Sequence, residues 1–90
     1  MGKIEIVDSC FSLEVTYTYK SFMDIGPMDD RLLDAVGHNR TSSLAENGNR
    51  TLVFNYMTKN DATNAAVRVL GLRIEGVDVN VYNEAEIEGV

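Results

Sequence analysis

The sequence predicts an α+β domain in which one antiparallel sheet of four or five strands carries two helices on the same face. Three observations lead there. Residues 11–20 alternate apolar and polar side chains. Residues 62–70 carry an apolar stripe at helical spacing. Between them, Asn47-Gly48 marks a hairpin, because a type I′ turn needs positive φ at both central residues. The chain has 90 residues, enough for one small core, so 1–90 is expected to be a single domain.

In the first strand Phe11, Leu13, Val15, Tyr17 and Tyr19 alternate with Ser12, Glu14, Thr16, Thr18 and Lys20. Period two in aromatic and β-branched residues is the pattern of a half-buried strand. Ile4 and Ile6 alternate with Lys3 and Glu5 ahead of it. An extra short N-terminal strand and one long strand bent at Asp8-Ser9-Cys10 fit that segment equally. Gly26-Pro27 reads as a break, since proline suits the first helical turn. Met28, Leu32, Ala35 and Val36 then recur at helical spacing, which predicts a helix over about 28–36. Asp29 and Asp30 fall in its first turn, where carboxylates suit the positive helix end, and Gly37 is its expected stop.

The Asn47-Gly48 turn should join a strand near 41–46 to one near 49–57, with Leu52, Phe54 and Tyr56 on one face and Thr51, Val53 and Asn55 on the other. Thr58-Lys59-Asn60-Asp61 resembles a capping box with Asp in place of Glu. Ala62, Ala65, Ala66, Val69 and Leu70 follow on one helix face. Gly71 with Leu72 reads as a Schellman-type end. Val77, Val79 and Val81 alternate with Asp78, Asn80 and Tyr82 as the last strand. Strand, helix, hairpin, helix, strand is the βαββαβ order of the ferredoxin-like plait, with strand order 4-1-3-2. Val15, Leu52, Phe54, Ala62, Ala66, Val69, Val79 and Val81 are the expected core.

The second half resembles the RNA-recognition-motif (RRM) family. After Tyr56 and a four-residue spacer come Asp61-Ala62, two residues and Ala65, then Gly71-Leu72-Arg73-Ile74-Glu75-Gly76-Val77-Asp78-Val79-Asn80-Val81. The resemblance covers residues 50–81 and implies the plait. RRMs stack bases on aromatics that project from the two central strands. At the equivalent outward positions this chain has Thr51 and Val53, and the first strand points Ser12, Glu14, Thr16 and Thr18 outward. The base-stacking residues of the family therefore do not carry over.

Composition excludes other classes. The formal charge is −6, from 8 basic and 14 acidic residues, which argues against a phosphate-neutralising surface and direct nucleic-acid binding. No apolar run approaches the roughly 18 residues of a membrane span. The N-terminus lacks an apolar signal region, so a cytoplasmic protein is expected. The single cysteine, Cys10, rules out an intramolecular disulfide and a Cys-based zinc site. The two Asn-Arg-Thr triplets at Asn39 and Asn49 match the glycosylation pattern, which carries no weight without a secretory signal. His38, the single histidine, follows a predicted helix end and reads as a capping or loop residue. Asp30 and Asp34 stand one turn apart and could approach a cation, but helix-start electrostatics accounts for the aspartates without a metal. No catalytic, cofactor or metal set is expected.

Charge is concentrated at two places. Asp29, Asp30 and Asp34 cluster on the first helix. In residues 72–90 Arg73 stands against Glu75, Asp78, Glu84, Glu86 and Glu88, a balance of −4, with an acidic tail at 83–90. These observations predict a small, acidic, non-enzymatic protein-binding module whose partner presents a basic surface. Its concrete form is an inhibitor whose carboxylates imitate nucleic-acid phosphates before a nucleic-acid-binding protein, as in phage or mobile-element anti-defence proteins. The candidate interface residues are Asp29, Asp30, Asp34, Asp78, Glu84, Glu86 and Glu88. The alternative is a degenerate RRM-like dimerisation or scaffold domain of a larger complex. Its contact surface is the outer sheet face, with Val53 among Thr16, Thr51 and Asn55, where a homodimer would form.

Overall fold

The computed structural model describes residues 11–83. The expected N-terminal strand at 3–8, Cys10, and the tail residues Glu84, Glu86 and Glu88 lie outside the described residues. Strand β1 spans Phe11–Thr18. A 3-10 turn at Phe22–Asp24 leads into helix α1, Ile25–Val36. Strands β2, Ser42–Glu46, and β3, Asn49–Tyr56, form the hairpin. Helix α2, Lys59–Leu70, and strand β4, Asp78–Asn83, complete the order.

The four strands form one sheet in the order β2-β3-β1-β4, with every neighbour antiparallel. Read from the other edge this is β4-β1-β3-β2. The alternation of β1 sets the register. Leu13 lies between Phe54 and Val81, and Val15 lies between Leu52 and Val79. These side chains share the inner face, because successive strand residues point to opposite sides. Leu32 and Val36 of α1 join Ala65, Ala66 and Val69 of α2 in one cluster with Leu13, Val15, Tyr17, Leu52 and Phe54. Both helices therefore cover the same face of the sheet. The alanine stripe lets α2 approach closely, and Ala62, Ala65 and Phe54 are fully buried. Val79 and Val81, expected in the core, are half-buried against it, because β4 is an edge strand.

The local signals mostly act as their chemistry requires. Asn47 and Gly48 adopt φ of 55° and 80° at the hairpin. The Thr58 hydroxyl accepts the Asp61 N–H at 3.1 Å and caps α2. Gly37 takes the left-handed conformation at φ 97°, and its N–H bonds to the Leu33 carbonyl.

Three ends differ from expectation, the first being β1, which stops at Thr18, two residues short of the alternating run through Lys20. Helix α1 starts at Ile25, three residues early. The Ser21 hydroxyl accepts the Met23 N–H at 3.2 Å and caps the 3-10 turn, which runs directly into the helix. Pro27 then stands in the first turn, where its missing N–H costs nothing. Helix α2 does not end in a Schellman motif. Gly71 is right-handed at φ −65°. The chain tightens instead through Leu72 N–H to Val69 O and Arg73 N–H to Leu70 O, and Arg73 takes the positive φ. Across the helices, the Arg68 guanidinium donates to the Ala35 and Val36 carbonyls at 2.8 and 2.9 Å. It thereby satisfies orphan acceptors at the end of α1.

Candidate functional site

The phase of α1 decides what its aspartates do, and Asp29 shares the buried face of Leu32 and Val36. Asp29 was expected on a solvent-facing docking surface. It lies instead in the second turn, faces the sheet, and is 6% exposed. Its carboxylate accepts from Arg50 Nη2 at 2.6 Å and from the Tyr17 hydroxyl at 2.6 Å. Arg50 Nε approaches at 3.4 Å. Tyr17 and Arg50 are directly paired across β1 and β3, so the sheet register places both beneath the helix. A carboxylate this deep needs such partners, because an unpaired buried charge is costly. Asp29 thus bolts α1 to the sheet and is not available to a partner. Burial and then the Asp29 hydrogen bond push the Tyr17 hydroxyl well above the usual tyrosine pKa. The Asp29 hydrogen bond raises Arg50 against the opposing effect of burial.

Asp30 and Asp34 remain on the solvent side of α1, one turn apart and exposed. With Arg31, Leu33, Gly37 and His38 they line a shallow open groove of about 660 Å³. His38 closes one end. Its Nδ1 is 2.9 Å from the Asn39 carbonyl and its Nε2 is 3.0 Å from the Tyr56 hydroxyl. Its ring meets Phe54 and Tyr56 edge-on. This fixes the loop after α1 and uses both ring nitrogens, which is a structural role. Burial raises the Tyr56 pKa above its usual value.

The side chains that sequence reasoning missed are Phe22 and Met23, which are 74% and 83% exposed at the N-terminal end of α1. Phe22 leans on Tyr19, with ring centroids 5.5 Å apart, and the Ser21 cap fixes the turn that carries both. Ser21 followed by an apolar pair and Asp24 is an N-cap signature, but Gly26-Pro27 masked it as a helix boundary. Leu44, Met57, Val67 and Leu70 are exposed as well, at 53–71%, and Phe22 and Met23 differ from them in being adjacent on one capped turn and the most exposed.

The remaining candidates lie elsewhere. Asp78 is exposed at the start of β4, opposite Thr16 on the outer sheet face, so the sheet separates it from α1. Val53 is on the same outer face and is half-buried. Ser12, also outward, is fully buried and donates to Asn55 Oδ1 at 3.0 Å. Among the described residues no group of three His, Cys, Asp or Glu side chains is placed to hold a metal ion. No described helix is long and apolar enough to cross a membrane. No family model, curated protein or solved structure matches this chain.

Proposed function

We propose that the chain is a non-enzymatic protein-binding module built on a ferredoxin-like plait. Its docking surface is the Phe22–Met23 turn together with the exposed carboxylates of Asp24, Asp30 and Asp34. The strand order β4-β1-β3-β2, antiparallel throughout, supports the plait. The carrying observation for docking is the pair of adjacent apolar side chains, 74% and 83% exposed, on the turn that leads into a helix whose solvent side carries Asp30 and Asp34 with Arg31. Burying each in a partner stabilises a complex by about 1.5–3 kcal/mol. The carboxylates add little affinity individually, about 0–1 kcal/mol per exposed pair, but steer a basic partner and speed its association. The partner is a protein with an apolar socket ringed by lysine and arginine. The basic cleft of a nucleic-acid-binding protein has that chemistry, and carboxylates there stand in for phosphates. Thr51 and Val53, the outward residues of a central strand where RRMs carry stacking aromatics, support a protein partner over RNA.

Affinity capture with immobilised protein tests this. The native chain should retain a discrete basic partner. Phe22→Ser with Met23→Ser should lose it at every salt concentration. Asp30→Asn with Asp34→Asn should release it at lower salt. Identical retention by all three proteins would overturn the reading.

A further inference from the structure

On the other flank of α1 a second cleft lies between the helix and the end of β1, with a volume of about 430 Å³. That size falls in the range of small-molecule sites. Tyr17 and Tyr19 line it from the strand side, and Pro27 and Met28 from the helix side. Lys20 and Arg31 also line the cleft, against a single carboxylate, Asp24. Both cations are exposed. In a chain with net charge −6 this is a local excess of positive charge. Two of the other described cations have partners, while Arg40, Lys59 and Arg73 make no ion pair among the described residues. Arg50 pairs with Asp29, and Arg68 holds carbonyls of α1. Among the described residues, Lys20 and Arg31 make no ion pair. The floor is rigid, because the Tyr17 hydroxyl is held by Asp29 and lies 3.3 Å from the Ile25 carbonyl.

We propose that this cleft binds a small organic anion, a carboxylate or phosphate monoester on a compact apolar body. The body packs on Tyr19 and Met28 while Lys20 and Arg31 hold the charged group. Cations that line a cleft with an apolar wall are able to fix the orientation of such a ligand. The cleft adjoins the docking turn through Tyr19, which Phe22 touches, and it shares Asp24 with the docking surface and Arg31 with the Asp30–Asp34 groove.

The test is a ¹H–¹⁵N titration of the intact protein with phenyl phosphate, phenylacetate, inorganic phosphate and phenethylammonium. Phenyl phosphate and phenylacetate should shift amides at Thr18–Lys20 and Asp24–Arg31 and saturate at millimolar concentration. Inorganic phosphate should bind roughly tenfold more weakly, because it lacks the apolar body. Phenethylammonium should leave these amides unmoved. Lys20→Ala and Arg31→Ala should each weaken phenyl phosphate binding by roughly tenfold, whereas Lys20→Arg should retain it. Both positions are exposed, so neither change threatens folding. Equal binding of phenethylammonium, equal binding of inorganic phosphate, indifference to both alanine variants, or no saturable shift would each overturn the proposal.

Discussion

Replacing Asp29 by alanine is expected to damage the fold as much as truncating a core leucine of α1 would. It leaves the Arg50 guanidinium buried with its two contacts to Asp29 gone, and it removes the acceptor 2.6 Å from the Tyr17 hydroxyl. Removing one partner of a buried pair costs about 3–5 kcal/mol, since the other charge stays desolvated. A small domain has about 5–15 kcal/mol in total. With a urea slope of about 1–2 kcal/mol/M, the unfolding midpoint should fall by about 2 M or more. The double replacement Asp29→Leu with Arg50→Met removes both charges and keeps apolar volume. It should cost far less than the two single changes added together. Urea unfolding followed by far-ultraviolet circular dichroism reads all four corners of this cycle, the native chain, Asp29→Leu, Arg50→Met and the double. A loss below about 1 kcal/mol for Asp29→Ala, or strict additivity in the cycle, would refute the idea that this pair holds α1 to the sheet.

Three further outcomes follow from the same geometry. The fold holds the Tyr17 proton more tightly than the unfolded chain does, so its contribution is complete below about pH 10 and is lost as the pH rises beyond that; Tyr17→Phe should flatten the alkaline decline in stability, measured by denaturant midpoints across pH 8–12. Arg68→Ala should cost about 1–3 kcal/mol, because the Ala35 and Val36 carbonyls lose their donors, with faster amide exchange confined mainly to the last turn of α1. Thr58→Ala should cost about 1 kcal/mol by uncapping α2, seen as a lowered thermal midpoint with unchanged native spectra.

Sequence patterning carries the frame of this fold because the frame rests on local, periodic signals. The alternation of β1, the Asn47-Gly48 turn and the alanine stripe of α2 each report which side chain meets which layer, and Gly37 and Thr58 end or start helices by their own backbone chemistry. The start of α1 was not legible, because Gly26-Pro27 looks like a boundary and is in fact carried inside the first turn by the Ser21-capped 3-10 turn. That shift matters for the site. It extends the helix without turning it and brings Phe22 and Met23 to its front, whereas Asp29 closes the Tyr17–Arg50 tie because it shares the buried face of Leu32 and Val36, three and seven residues on. Arg50 gave no warning, since a charged residue on the inner face of a central strand breaks the alternation that its neighbours obey. Its partner lies 21 positions away in sequence. The acidic residues were legible as charge, but charge alone did not separate the exposed Asp30 and Asp34 from the buried Asp29.

The most direct test of the docking surface is hydrogen exchange on the chain bound to the partner it captures. The account predicts new protection at the Phe22–Asp24 turn and in the α1 amides around Asp30 and Asp34, with the outer sheet face unchanged. Protection falling instead on Thr16, Thr51 and Val53, with the Phe22–Asp24 turn exchanging as in the free protein, would contradict it and assign the contact to the sheet.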